Sequence, residues 1–156
     1  MLSRETSSIP ATSRGYSNIL VGYDGSKNSE RALARAKSLA AECGAKLSVL
    51  VAVNTTQLAF APMAPSAPEE VFESLIEDGK KVLAQAIESV GPFVPPVSGS
   101  VEEGNAAECI LDFAARNGVD LIVLGRRGIS SVERFLLGGV SSNVVGHSKC
   151  DVLIVK

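Results

Sequence analysis

The sequence predicts an α/β fold: a three-layer, doubly wound parallel sheet of five strands in a single domain. Two observations predict it. Short apolar runs and longer amphipathic stretches alternate along the chain as βαβαβαβαβ, and right-handed crossovers turn that order into a parallel sheet with helices on both faces. The runs Ile19-Leu20-Val21 and Leu121-Ile122-Val123-Leu124 are apolar throughout rather than alternating, the pattern of strands covered on both sides. The alternation leaves the order of strands in the sheet open.

Residues 1–17 are rich in Ser and Thr, with Pro10 and Gly15, and read as a flexible amino-terminal tail before a domain spanning 18–156. The first strand covers Asn18 to Tyr23 and ends at Asp24-Gly25-Ser26, a turn followed by a helix cap. The next helix puts Ala32, Leu33, Ala36, Leu39, Ala40 and Cys43 on one face and stops at Gly44. Lys46 to Val53 is the second strand. Asn54 to Ala67 is a long Pro/Ala-rich connection without periodicity, of the kind that is functional or mobile.

Pro68 opens a helix that is expected to bury Val71, Leu75, Val82, Ala86 and Val90, with Gly79 as a weak point inside it. Gly91-Pro92 and Pro95-Pro96 break the chain before a poorer third strand, Val97 to Val101. Asn105 with Glu108 has capping-box spacing, Ile110, Leu111 and Ala114 face inward, and Gly118 ends that helix. A fourth strand, a glycine loop, a helix from about Gly139 to Ser148 and a last strand Asp151 to Val155 complete the chain.

Composition narrows the function. With 46% hydrophobic and 21% charged residues the chain is globular. A net charge of −2 argues against a nucleic-acid footprint. No apolar run approaches the ~20 residues of a membrane span, and Met1 to Ser17 lacks the apolar centre of a signal peptide. Cys43, Cys109 and Cys150 show no metal-binding spacing, which fits a soluble cytoplasmic protein without structural metal. There is no Gly-x4-Gly-Lys-Ser/Thr loop and no Gly-x-Gly-x-x-Gly after the first strand, which argues against a P-loop NTPase and a dinucleotide dehydrogenase. His147, the single His, has no partner at ligand spacing and reads as structural or surface.

The functional signal is the stretch Val119 to Val145. After the fourth strand, glycines fall at Gly125, Gly128 and Gly138 with Gly139 next, and Val140-Ser141-Ser142 begins a helix. Strand, glycine loop and helix start is a layout in which backbone N–H groups converge on an anion. The bland alternative, turn glycines around a connection, does not account for the length of the span or for Phe135-Leu136-Leu137 inside it.

This stretch resembles the nucleotide-binding branch of the universal stress protein family, which carries Gly-x2-Gly-x9-Gly followed by Ser or Thr. Gly125, Gly128 and Gly138 match; Gly139 departs, lacking the hydroxyl that in the family contacts the outer phosphates. The resemblance runs over roughly 17–156. It implies strand order 3-2-1-4-5, an adenine nucleotide alpha hydrolase-like sheet, and a ligand crevice where the first and fourth strands meet. It also implies a site for ATP or another adenine nucleotide, with Mg²⁺ as a possible companion.

The residues so implied are Asp24 and Val53 for the adenosine part, and Gly125, Gly128, Gly138, Gly139 and Ser141 for the phosphates, with Leu124 and Val140 beside them; Arg127 joins the candidates because a guanidinium beside a phosphate cradle can pair with phosphate. Asp24 reads equally as a turn residue, Val53 also as a buried strand residue, and Arg126 and Arg127 also as solvated surface. Ser141 matches a second hydroxyl position and stands to compensate for Gly139. A homodimer through Val152 to Val155 is the implied assembly. With no evident base or metal ligand beyond Asp24, the expected role is a nucleotide-dependent stress or signalling module. The alternatives are an interaction module of the same fold that has lost nucleotide, and a slow ATPase.

Overall fold

The computed structural model describes residues 15–55, 69–126 and 139–156. The elements are β1 (Asn18–Gly22), α1 (Lys27–Cys43), β2 (Lys46–Val53), α2 (Glu69–Val90), β3 (Ser98–Glu103), α3 (Ala106–Asn117), β4 (Leu121–Gly125), α4 (Gly139–His147) and β5 (Asp151–Val155). All pairings are parallel and the order is β3-β2-β1-β4-β5, as the family resemblance implied. The long connection expected after β2 falls mostly on 56–68, outside the described residues. No described helix is long and apolar enough to cross a membrane.

Successive strand residues point to opposite faces, and the central strands build a core on each. Ile19, Val21 and Tyr23 of the first strand and its exit join Leu121 and Val123 beneath α1 and α2. Leu20, Leu50, Ile122 and Leu124 lie on the other face with Ile110 and Ala114 of α3 and Val144 of α4. The caps follow the expected chemistry. Ser26 Oγ accepts from Ser29 N at 3.2 Å, and Asn105 Oδ1 accepts from Ala107 N and Glu108 N. Gly44 and Gly118 close α1 and α3 in the left-handed conformation, at φ 66° and 62°. Ahead of β1, Tyr16 Oη donates to Asp151 Oδ2 at 2.8 Å and Ser17 N to Asp120 Oδ2 at 2.7 Å, so the chain just before the first strand is tied to the sheet.

α2 corrects two expectations. Gly79 is buried, and a Cβ there would lie 2.7 Å from Val53 Cγ2 and 3.2 Å from Val101 Cγ1. The glycine is the place where the helix crosses the carboxyl ends of β2 and β3, not a gratuitous weak point. Val71, expected in the core, is 38% exposed. It precedes Gly79 by eight residues, which at ~1.5 Å per residue puts it ~12 Å beyond the strand ends. The first turns of α2 therefore overhang the sheet. The third strand begins and ends later than expected because its Ser98-Gly99-Ser100 has little apolar pattern. Leu83 and Ile87 of α2 occupy the space over Gly99.

Candidate functional site

β1 and β4 lie side by side, with Val21 opposite Val123, and their carboxyl ends open the crevice at which the strand order reverses. On the β1 side the chain leaves through Tyr23, whose N–H bonds Leu50 O at 2.9 Å. Asp24 Oδ1 then accepts from Ser26 N at 2.9 Å. Gly25 sits at φ 79°, a conformation that favours glycine. Ser29, 4% exposed, donates its hydroxyl to Ser26 O at 2.9 Å and bonds Asp24 N at 3.4 Å. Turn and cap are thus one hydrogen-bonded unit that fixes the start of α1.

On the β4 side, Gly125 packs under that start. A Cβ at Gly125 would lie 2.7 Å from the carbonyl carbon and oxygen of Asn28. Arg126 N continues the β4–β5 ladder to Val155 O at 2.9 Å. The opening of α4 is pinned to the same place: Ser141, 4% exposed, donates its hydroxyl to Gly125 O at 2.9 Å, with Arg126 O at 3.5 Å. α1, α2 and α3 each carry glutamate in the first turn, whereas α4 carries no acidic residue there. Its leading N–H groups and dipole are therefore not offset by a carboxylate of its own.

A family model for the universal stress proteins matches residues 15–156, nearly the whole chain. The chain belongs to the universal stress protein family. A universal stress protein of Thermus aquaticus is 36% identical over 143 residues, which are 90% of this chain and 99% of that protein. Among solved structures, the universal stress protein UspA from Lactobacillus plantarum superposes with TM-score 0.76 at 28% identity, over 90% of this chain and 98% of that one. A universal stress protein in complex with cAMP gives TM-score 0.67 at 29% identity, over 90% and 97%.

Of the residues that the universal stress resemblance implied, Asp24, Gly125, Gly139, Val140 and Ser141 gather at the β1/β4 end of the sheet. Arg127, Gly128 and Gly138 lie outside the described residues. Val53 ends β2, one strand away, and its carbonyl already accepts from Gly104 N at 2.9 Å. Leu124 is 4% exposed; its Cδ2 fills the space that a Cβ on Gly22 would need. Val140 is 40% exposed at the opening of α4. Gly139 begins α4 with no described residue within 4 Å of an added Cβ.

Sequence reasoning missed Ser29, Asn28 and the direction of the Ser141 hydroxyl. Ser29 had a signal in its spacing from Ser26; the other two depend on contacts between distant parts of the chain. No group of three or more His, Cys, Asp or Glu among the described residues could hold a metal ion. His147 Nδ1 meets Asn143 O at 2.9 Å within its own helix, which agrees with a structural reading. Burial, then Glu102, pushes the Cys109 thiol up from its ordinary value, so it is a packing group rather than a nucleophile.

Proposed function

We propose that the chain binds an adenine nucleotide in the β1/β4 crevice and acts as a stress-response or signalling module. The observation that carries this is the opening of α4. A helix amino terminus without an acidic first turn is held by the Ser141–Gly125 bond at the carboxyl end of β4, the arrangement that suits a phosphate. The related structure in complex with cAMP supports the same ligand class.

In this reading the backbone N–H groups of Gly139, Val140 and Ser141, with Gly125, Gly128, Gly138 and Arg127, hold phosphates. Leu124 contributes backbone at the strand end, Asp24 takes a ribose hydroxyl, and the Val53 backbone borders adenine. ATP is the favoured nucleotide. Mg²⁺ would be held by the phosphates, since the described residues offer no metal cluster and Mg²⁺ commonly binds through one or two carboxylates plus phosphate oxygens. The protein works in the cytoplasm as a homodimer through Val152 to Val155. That strand pairs with β4 on one side and is half-buried, an edge that invites a second copy.

One observation favours a second reading, an interaction module without nucleotide. Gly125, Asp24 and Ser141 each have a structural partner within the fold itself: Asn28, Ser26 N and Gly125 O respectively. Calorimetric titration with ATP, ADP and AMP, beside mass spectrometry of the supernatant from denatured purified protein, separates the two. Saturable adenine-nucleotide binding supports the first reading. Absence of both binding and co-purified nucleotide hands the site to the second.

A further inference from the structure

A groove runs between α1 and α2 on the face of the sheet opposite α3, with a volume of about 760 Å³. Its lining includes Tyr23, Leu33, Ala34, Lys37, Gln85 and Ser89, and none of the crevice residues Gly125, Gly139 or Ser141. Tyr23 is 9% exposed, packed beside Ile19 and Val21. No described residue hydrogen-bonds its phenol, although its own N–H bonds Leu50 O and the N–H of Asp24 bonds Ser29 Oγ. Buried tyrosine hydroxyls as a rule have partners. Tyr23 is one of the residues that line the groove, so a molecule seated there can supply the partner that the described residues do not.

The rest of the lining defines that partner. Leu33 and Val90, 4% and 1% exposed, give an apolar floor. Ser38 and Ser89, which also line the groove, donate their hydroxyls to Ala34 O at 3.2 Å and Ala86 O at 2.7 Å, so what they have left to offer is acceptor lone pairs. Glu30 and Lys37 stand on the same wall with opposite charges, which leaves no net charge to select an ion. A phenol is a proton donor throughout the neutral range, and burial, then Glu30, then Asp24 moves this one further above its ordinary value. The volume lies within the ~300–1,000 Å³ of small-molecule pockets.

We propose that the α1/α2 groove is a second binding site, for a small neutral amphipathic molecule whose carbonyl oxygen accepts from Tyr23 and whose apolar body lies on Leu33 and Val90. The site stands whether or not the β1/β4 crevice takes a nucleotide.

The test uses N-cyclohexylacetamide as the probe, titrated into the full ¹⁵N-labelled chain. Expected are saturable shifts of the Leu33, Ala34, Ser38, Gln85 and Ser89 amides, with Gly125 and Ser141 unmoved. Tyr23→Phe removes one hydrogen bond and should weaken the probe roughly two- to tenfold. Ala34→Phe, on the exposed face of α1, should block it, with an otherwise native spectrum in both variants showing that the fold is intact. Shifts that do not saturate, shifts centred on Gly125, or equal affinity for wild type and Tyr23→Phe would overturn the assignment.

Discussion

Gly125→Ala separates what this glycine does for the fold from what it does for a ligand. An added Cβ would stand 2.7 Å from the carbonyl carbon of Asn28 and 2.8 Å from its Cβ. An ordinary carbon–carbon approach is ~3.5 Å, so the shortfall is ~0.8 Å against backbone, which has no rotamer to change. Asn28 belongs to the first turn of α1, held by the Ser26 cap and by Ala32, Leu33 and Ala36 in the core. α1 cannot slide away without opening that packing. Overpacking of this kind costs ~1–3 kcal/mol, and a backbone neighbour belongs at the upper end. At ~4 °C per kcal/mol for a domain of this length, 2–3 kcal/mol is a fall of ~8–12 °C in Tm. Urea denaturation of nucleotide-stripped protein measures it, with the m-value unchanged. A glycine needed for phosphate approach alone would leave the stripped protein's stability alone. A midpoint equal to wild type therefore refutes the packing argument.

Gly79→Ala sets a helix-propensity gain of ~1 kcal/mol against overpacking of ~1–3 kcal/mol at Val53; a net loss is expected by urea denaturation, while Gly146→Ala, with no described neighbour within 4 Å, should be neutral or stabilising. Gly139→Ser restores a hydroxyl at an open helix start and should tighten ATP more than ADP by calorimetry; equal gains would count against an outer-phosphate role. Val152→Lys should convert a dimer into a monomer in sedimentation at micromolar concentration, and a wild-type monomer would remove the β5 interface. Tyr16 and Tyr23 should both titrate above the ordinary 10.0 in ultraviolet absorbance, Tyr16 chiefly because its hydroxyl donates to Asp151 and Tyr23 chiefly through burial. Phenols raised in the folded state contribute stability that is intact below pH ~10 and lost as the pH climbs above it.

The fold was legible where sequence and packing agree. β1 and β4 read as buried strands because both faces of the sheet are covered there, and Gly44, Asn105 and Gly118 announce helix ends by their own backbone chemistry. Periodicity failed at Val71, because a helical pattern does not reveal where the sheet beneath the helix stops. It failed at Gly79, because the reason for that glycine is the partner surface at Val53. The candidate site was legible as a cluster of residue types at the ends of two strands. The roles within it were not, because Asn28 and Ser141 reach Gly125 from different parts of the chain.

Ser141 shows why those roles matter. Its hydroxyl has one proton, and that proton goes to Gly125 O at 2.9 Å. The side chain sits 4% exposed between α4 and the end of β4, so turning it towards a ligand would deprive the half-buried Gly125 carbonyl of its donor, at ~1–3 kcal/mol. That is about what a hydrogen bond to a charged group returns, ~1.5–3 kcal/mol, so the exchange gains little. In the proposed site Ser141 would therefore serve a nucleotide by holding the helix opening in place rather than by replacing the hydroxyl that Gly139 lacks. Contact with outer phosphates would then fall to backbone N–H groups, which carry no preference for the length of the phosphate chain beyond their reach. Weak discrimination between ATP and ADP then follows from two positions together: Gly139 has no hydroxyl to offer, and Ser141 has already used its own.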